Sequence, residues 1–244
     1  MRKGNKLYFR LVIFLGLAAC SLSIVQLCRI THSPYTKAEA SPDGTGKFYM
    51  GREIAGMISG HGAIEWLERH DREQTEKPRA VINALALKPD DVVADIGAGS
   101  GYFTFRIAPL VPEGKVYTVE IGPEMIDHLE QKKRDLDLQN VIVQRGQIDA
   151  AGLADNSVDV AFMVDAYHEF SHPREMMRSI VRALKADGRV VFVEYRGEDP
   201  QLPIKPLHKM TVNQLRKEMK AAGLVWIKTI DVLPSQHISI FMKN

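Results

Sequence analysis

The sequence predicts an α/β protein built on a doubly wound, mostly parallel sheet of seven strands, with helices on both faces and a C-terminal antiparallel hairpin. Two observations predict this fold class. Short apolar runs alternate with amphipathic segments up to the fifth strand, as in strand–helix–strand units. A glycine-rich turn follows the first of these runs. The chain has 244 residues, enough for one sizeable α/β domain with additional segments.

The central strand is predicted at residues 92–96. Its residues are apolar without alternation, which is typical of a strand covered on both faces. Gly97, Gly99 and Gly101 then stand at every second position, where they allow a sharp turn and a close approach to a ligand. The helix predicted after this turn extends to about Pro109. Its first N–H groups suit a polar or anionic ligand group.

The spacing of these glycines disfavours a nicotinamide cofactor, so a nicotinamide oxidoreductase is kept only as a rival class. A dinucleotide turn requires G-x-G-x-x-G, but the last position is Tyr102 counted from Gly97 and Thr104 counted from Gly99. The segment that begins at Asp95, D-x-G-x-G-x-G, instead resembles motif I of the class I S-adenosylmethionine (SAM) dependent methyltransferases. Glu120 ends the next apolar strand, at the distance where an acidic residue binds ribose hydroxyls.

The resemblance covers about residues 80–243 and comes closest to small-molecule methyltransferases of the ubiquinone/menaquinone C-methyltransferase type. It implies a Rossmann-like domain with SAM as cofactor. In that family an acidic or amide side chain after the third strand binds adenine, so Gln147 and Asp149 are both candidates; Asp149 could equally cap a turn. The predicted cofactor contacts are Asp95, Gly97, Ala98, Gly99, Gly101, Glu120, Ile121, Gln147, Ile148, Asp149 and Asp165.

The remaining elements follow in order along the chain. A helix is predicted over 124–138, after a proline suited to its first turn. The helix after His172 and Pro173 is predicted to end at Asp187 and Gly188, and the last helix to begin at Thr211. The other strands are predicted at 116–119, 141–143, 158–164, 189–195, 225–233 and 237–242.

Candidate catalytic residues follow the fourth strand, at the sheet edge where ligands bind in such folds. His168 can exchange a proton near neutral pH, Glu169 could orient its ring or raise its pKa, and Tyr167 could shape the acceptor pocket. The alternative is a hydrogen-bond network without a catalytic role. The fourth-strand motif departs from the ubiquinone type, which leaves the acceptor open. Further candidates at or after the fifth strand are Tyr195, Arg196 and His208.

Cysteine and charge distributions exclude several functions. Cys20 and Cys28 both lie near the N-terminus, so the predicted domain has no disulfide and no thiolate site, and no metal-binding spacing is present. Against a net charge of +2, residues 1–38 contribute +6, so the remainder carries −4. A mildly acidic domain is not suited to phosphate backbones, so no nucleic-acid partner is predicted.

Residues 1–28 are predicted to be a signal or membrane-anchor segment, because a basic start precedes an apolar run. An uncleaved anchor, a lipoprotein signal with a lipid on Cys20, and a cleaved signal are the three alternatives. Basic residues before the run outnumber those after it, which predicts a domain on the outer side of the membrane. That side conflicts with the cytosolic supply of SAM. Residues 29–47 are predicted to be a linker.

Residues 48–87 are predicted to form a helical cap of two or three pieces over the cofactor pocket, followed by the catalytic domain at 88–244. Candidate substrate contacts in the cap are Tyr49, Arg52, His61 and Trp66, which could also simply pack or face solvent. The predicted function is SAM-dependent methylation of a small-molecule or lipid-like acceptor. The alternative is a membrane-tethered module that binds SAM or a nucleoside without catalysis.

Overall fold

A computed structural model of the protein describes residues 33–57 and 62–243. The predicted leader lies outside these ranges. Residues Tyr35–Asn244 form one compact unit. Within the described ranges, no helix has the length and apolar character needed to cross a bilayer.

Ten strands and seven α-helices are present in the described residues. The strands are β1 (Tyr35–Lys37), β2 (Gly44–Tyr49), β3 (Arg52–Ala55), β4 (Val92–Ile96), β5 (Lys115–Glu120), β6 (Val141–Arg145), β7 (Val158–Val164), β8 (Leu184–Tyr195), β9 (Leu224–Ile230) and β10 (Gln236–Lys243). The helices are α1 (Gly62–Leu67), α2 (Arg72–Thr75), α3 (Pro78–Leu85), α4 (Thr104–Ile107), α5 (Pro123–Asp135), α6 (Pro173–Ala183) and α7 (Val212–Ala221).

The main sheet has the order β6-β5-β4-β7-β8-β10-β9. Strands β4 to β8 pair in parallel, and β10 runs antiparallel to both β8 and β9. This confirms the predicted seven-stranded, doubly wound fold with a C-terminal hairpin. Both faces of the sheet are buried: Phe162 and Met163, neighbours on β7, belong to different apolar clusters, as do Val191 and Phe192 on β8. Such a sheet requires the continuous apolar runs seen in the sequence.

The N-terminal region differs from the prediction. Strands β1, β2 and β3 form a small antiparallel sheet where a linker and a helix are predicted. The reason is a two-residue turn at Met50 and Gly51, whose φ angles are 50° and 92°. Positive φ at both positions is typical of the hairpin turn that matches strand twist, and it pairs Tyr49 with Arg52. The predicted helical cap is therefore wrong over 48–55, and the first helix among the described residues is α1.

Helix α6 ends earlier than the predicted stop at Asp187 and Gly188. It ends at Ala183, and Leu184 already pairs with Val158 as the first residue of β8. The last helical carbonyls are satisfied by the turn before β7, because Asn156 N donates to Arg182 O at 2.9 Å and Ser157 N to Ala183 O at 2.8 Å. Helix ends need such partners. The helix can therefore stop here without a glycine.

Candidate active site

The strand order reverses between β4 and β7, and the predicted cofactor residues lie at this point. The chain continues from β4 to β5 and β6 on one side and from β7 to β8 on the other. In open α/β sheets, ligands bind outside the carboxyl ends of the strands at such a switch point. The segments that follow β4 and β7 come close together there, since a Cβ added at Gly97 would lie 2.9 Å from Ala166 Cβ.

The glycine turn has the left-handed conformation that glycine favours. The φ angles of Gly97, Gly99 and Gly101 are 72°, 54° and 75°. The neighbouring strand β5 holds the turn in place, because Gly97 N and Ala98 N donate to Val119 O at 2.9 and 3.2 Å. The shape of the turn is therefore fixed by β5, and Gly97 is its exposed residue.

Glu120, at the end of β5, is bound to the same turn. Its Oε2 accepts a hydrogen bond from Gly99 N at 3.0 Å, and its Oε1 accepts from Ile121 N at 2.7 Å and Gly122 N at 3.2 Å. A carboxylate offers about four acceptor positions. Three of these positions are used, so Glu120 can accept about one further hydrogen bond from a ligand while it holds the turn.

Apolar and polar side chains at the ends of β5 and β6 are exposed beside Glu120. Ile121 is 37% exposed and Ile148 is 56% exposed. Gln147 and Asp149 are also exposed, in a turn closed by a bond from Gln147 N to Ala150 O at 2.7 Å. Exposed isoleucines next to amide and carboxylate groups suit a flat heteroaromatic ring with polar edges. The adenine site stays a prediction, and both polar candidates, Gln147 and Asp149, stay open.

Two aspartates lie at the ends of β4 and β7. Burial raises the pKa of Asp95 to about 7, and its Oδ2 accepts a hydrogen bond from Thr104 Oγ1 at 2.7 Å. Burial, followed by the charges of Glu194 and Glu76, raises the pKa of Asp165 to about 8. Asp165 Oδ2 accepts from Gln236, whereas its buried Oδ1 has no partner among the described residues. An unpaired buried acceptor at the switch point suits a donor or cation from a ligand.

Residues from α1 to α2 cover the glycine turn. A Cβ at Gly99 would lie 2.7 Å from Leu67 Cδ1. Glu68 accepts hydrogen bonds at 2.7 Å from both Ser100 Oγ and Lys132 Nζ. A helical cap over the cofactor pocket is predicted for the N-terminal region. In the structure, the residues of this region that contact the glycine turn are Leu67, at the end of α1, and Glu68.

A second cluster lies just after β7, next to the end of β8. His168 is 2% exposed; its Nδ1 lies 2.6 Å from Glu194 Oε2 and its Nε2 3.1 Å from His208 Nδ1. Glu169 Oε1 lies 3.3 Å from His208 Nδ1 and 3.8 Å from His168 Nε2. Burial acts to lower the pKa of His168, but the neighbouring Glu194 outweighs it and the pKa is raised.

Two of the predicted catalytic roles need correction. Glu194, not Glu169, orients the His168 ring through Nδ1, whereas the other role predicted for Glu169 holds, because its charge is among those that raise the pKa of His168. Tyr167 does not line an acceptor pocket, because it is fully buried and its hydroxyl donates to Glu218 Oε2 at 2.6 Å. Burial raises the pKa of Tyr167 well above its usual value. The sequence offered no signal for Glu194, which lies inside a strand and meets His168 only through the pairing of β7 with β8.

Of the other catalytic and substrate-contact candidates that the structure describes, one belongs to the His168 cluster and the rest lie elsewhere. His208 belongs to the His168 cluster, and Tyr195 donates to Glu76 at 3.1 Å. Arg196 binds Asp231 and nearby carbonyls, a structural role. Among the cap candidates, Tyr49 is buried, Arg52 pairs with Glu218, Trp66 is exposed under Arg69, and His61 lies outside the described residues.

A parallel sheet with a glycine turn and an acidic strand end at its switch point defines the class I SAM-dependent methyltransferase fold. The methyltransferase-domain family matches residues 87–237, and the chain belongs to this family. The chain is 32% identical over 123 residues, half of its length, to the uncharacterized methyltransferase YcgJ of Bacillus subtilis (strain 168), of which 48% is covered. It is 30% identical over 120 residues to a ubiquinone/menaquinone biosynthesis C-methyltransferase of Ectopseudomonas mendocina (strain ymp), covering 48% of this chain and 46% of that protein.

Solved structures show the same fold. A SAM-dependent methyltransferase from Aquifex aeolicus superposes with a TM-score of 0.71 and 23% identity, over 77% of this chain and all of that chain. The chain spans about half the length of the curated relatives it matches. S-adenosylmethionine is the cofactor that the family and the fold imply.

Proposed function

We propose that the protein transfers the methyl group of SAM to a small-molecule or lipid-like acceptor. The observation that carries this proposal is the glycine turn at the switch point, bound through Gly99 N to the Glu120 carboxylate. This turn lets a ligand approach the protein backbone closely, and it keeps the Glu120 carboxylate beside the ligand as a hydrogen-bond acceptor. The residue chemistry fits SAM, which has hydroxyls for Glu120, a purine ring for the Ile121 and Ile148 surface, and an ammonium group for Asp165.

Bound SAM would supply a methyl group on a sulfonium, and the protein would mainly align the acceptor with it. Such alignment can contribute up to roughly 7–11 kcal/mol to lowering the barrier. We place the methyl acceptor at the ends of β7 and β8, where His168, Glu169 and His208 lie together. Incubation of the purified protein with labelled SAM and with membrane and soluble extracts tests this function. Cofactor binding without any labelled product would favour a binding module without catalysis.

Glu120→Ala is expected to weaken SAM binding roughly tenfold to a hundredfold. Hydrogen bonds to a charged group contribute about 1.5–3 kcal/mol, which corresponds to that range of dissociation constants. Gly99→Val should abolish binding, because its Cβ would clash with Leu67 and its φ of 54° disfavours a branched side chain. Isothermal titration with SAM measures both effects.

Glu113→Ala is the matched control for the Glu120 variant, because Glu113 is an exposed acid in the turn before the same strand. It should bind SAM as the wild type does. Glu120→Gln keeps the side-chain shape and shows how much of the loss is due to charge. Unchanged affinity in both Glu120→Ala and Gly99→Val would contradict the assignment of this site.

We also propose that the N-terminal segment, residues 1–28, attaches the protein to a membrane. Its basic start and apolar run support this assignment. The full chain should sediment with membranes, and deletion of the segment should release it. Protease treatment of intact spheroplasts tests the side: digestion is expected for an outer location, and protection would contradict it. A full chain found in the supernatant would contradict attachment itself.

A further inference from the structure

Three potential metal ligands converge where the chain after β7 meets the loop after β8. They are His168 Nε2, Glu169 Oε1 and His208 Nδ1. The sequence predicts no metal site, because 38 residues lie between Glu169 and His208 and no short ligand spacing is present. Only the fold brings them together, with the segment 206–208 lying against the segment 167–169.

The separations of the three atoms fit one tetrahedral ion. Zinc binds histidine nitrogen and carboxylate oxygen at about 2.0–2.2 Å, so the edges of its tetrahedron are about 3.3–3.6 Å long. The measured separations are 3.1, 3.3 and 3.8 Å and bracket these values. The two imidazole rings stand at 74° to one another, with centroids 5.0 Å apart, so they do not stack. Two ring nitrogens and one carboxylate oxygen therefore lie close enough together to share one ion.

Glu194 completes the arrangement from behind. Its carboxylate lies 2.6 Å from His168 Nδ1, which fixes the ring orientation and leaves Nε2 for an ion. Metal-binding histidines usually donate their second nitrogen to such a carboxylate. The charges also balance, because the two carboxylates, Glu169 and Glu194, would offset the charge of a divalent cation. The Glu169 side chain keeps 17% exposure, so the cluster reaches solvent on its side.

We propose that His168, Glu169 and His208 bind a divalent transition-metal ion of the zinc type, with Glu194 as the carboxylate that orients His168. Three protein ligands leave one position open, as in catalytic zinc sites. An oxygen of the methyl acceptor would take that position; this role, unlike metal binding itself, rests on the proposed methyl transfer.

Titration of the metal-stripped full chain with Zn²⁺ and Co²⁺ tests the proposal. We expect one equivalent to bind, with the visible absorption of tetrahedral Co²⁺. Glu169→Gln and His208→Ala should lose this site, and Glu194→Gln should weaken the affinity by about tenfold to a hundredfold. His70→Ala, which removes an exposed histidine outside the cluster, should bind like the wild type. All variants share Cys20 and Cys28, so any binding by these thiols cancels in the comparison.

SAM affinity, measured on the same samples, separates the two proposals. Metal-site variants that keep SAM binding are folded, and their loss of Co²⁺ absorption then supports the site. A wild-type chain that binds SAM but binds neither Zn²⁺ nor Co²⁺ would overturn the metal proposal and leave the proposed function standing. Equal Co²⁺ binding by wild type, Glu169→Gln and His208→Ala would also overturn it. An octahedral Co²⁺ spectrum would contradict the zinc-type geometry.

Discussion

Arg52→Met is expected to lower the free energy of unfolding by about 3–5 kcal/mol, the usual cost of removing one partner of a buried ion pair. The Arg52 guanidinium donates to both oxygens of Glu218, with Nε at 2.9 Å and Nη2 at 3.1 Å, and the Glu218 side chain has no exposed surface. Burial acts to lower the pKa of Arg52, but Glu218 outweighs it and the pKa is raised. Methionine would fill the space and leave a buried carboxylate without its cation, bound only by the neutral donors Tyr167 and Gln214.

Arg52 also connects three parts of the domain. It lies on β3, its Nη1 donates to His168 O at 3.0 Å, and its partner Glu218 lies on α7 and accepts from Tyr167. The small N-terminal sheet is therefore fastened to the chain that follows β7. Loss of Arg52 should loosen this attachment as well as destabilise the fold.

Urea unfolding of the wild type, Arg52→Met and Arg79→Met measures how much each substitution lowers the free energy of unfolding. Arg79 is the control because its side chain is 86% exposed and its ion pair with Glu73 is long, at 3.8 Å. Exposed pairs contribute about 0–1 kcal/mol. The double variant Arg52→Met/Glu218→Met should be more stable than Arg52→Met alone, since it removes the unpaired charge. A loss below about 1 kcal/mol for Arg52→Met would contradict this account.

The main sheet could be predicted from the sequence, whereas the N-terminal sheet could not. Strands β4 and β7 are buried on both faces, so their apolar runs stand out against any helical pattern. Strands β1 and β2 consist largely of polar and small residues, and only a few of their side chains are buried. Their pairing depends on the Met50–Gly51 turn, and this residue pair is a weaker turn signal than Asn-Gly or Asp-Gly.

The candidate site shows the same division between local and long-range information. Gly97, Gly99 and Glu120 could be predicted because one turn and one strand place them together. Glu194 and His208 could not, because they contact His168 only through strand pairing and a distant loop. Sequence proximity favours Glu169 as the partner of His168. In the structure it lies nearer to His208.

His168→Ala is expected to lower the rate of methyl transfer by roughly two to four orders of magnitude, the usual contribution of a group that handles an acceptor's proton. This expectation holds whether the ring acts on the acceptor directly or through an ion at Nε2. SAM affinity should stay within a few-fold of the wild type, because the ring bonds to Glu194 and His208 and not to the glycine turn or Glu120. The backbone should stay in place, since Arg52 binds the carbonyl of His168 and not its side chain.

His168→Asn separates a catalytic from a structural role. Asparagine can still donate to Glu194, so the buried carboxylate keeps a partner and the fold is protected. It cannot supply a nitrogen at the Nε2 position, so the low transfer rate should persist. Labelled transfer into the extract that serves as acceptor gives the rate, and titration gives SAM affinity. Full activity in His168→Asn would remove Nε2 from the reaction. Loss of SAM binding and of folding stability in both variants would show that His168 supports the strand end instead.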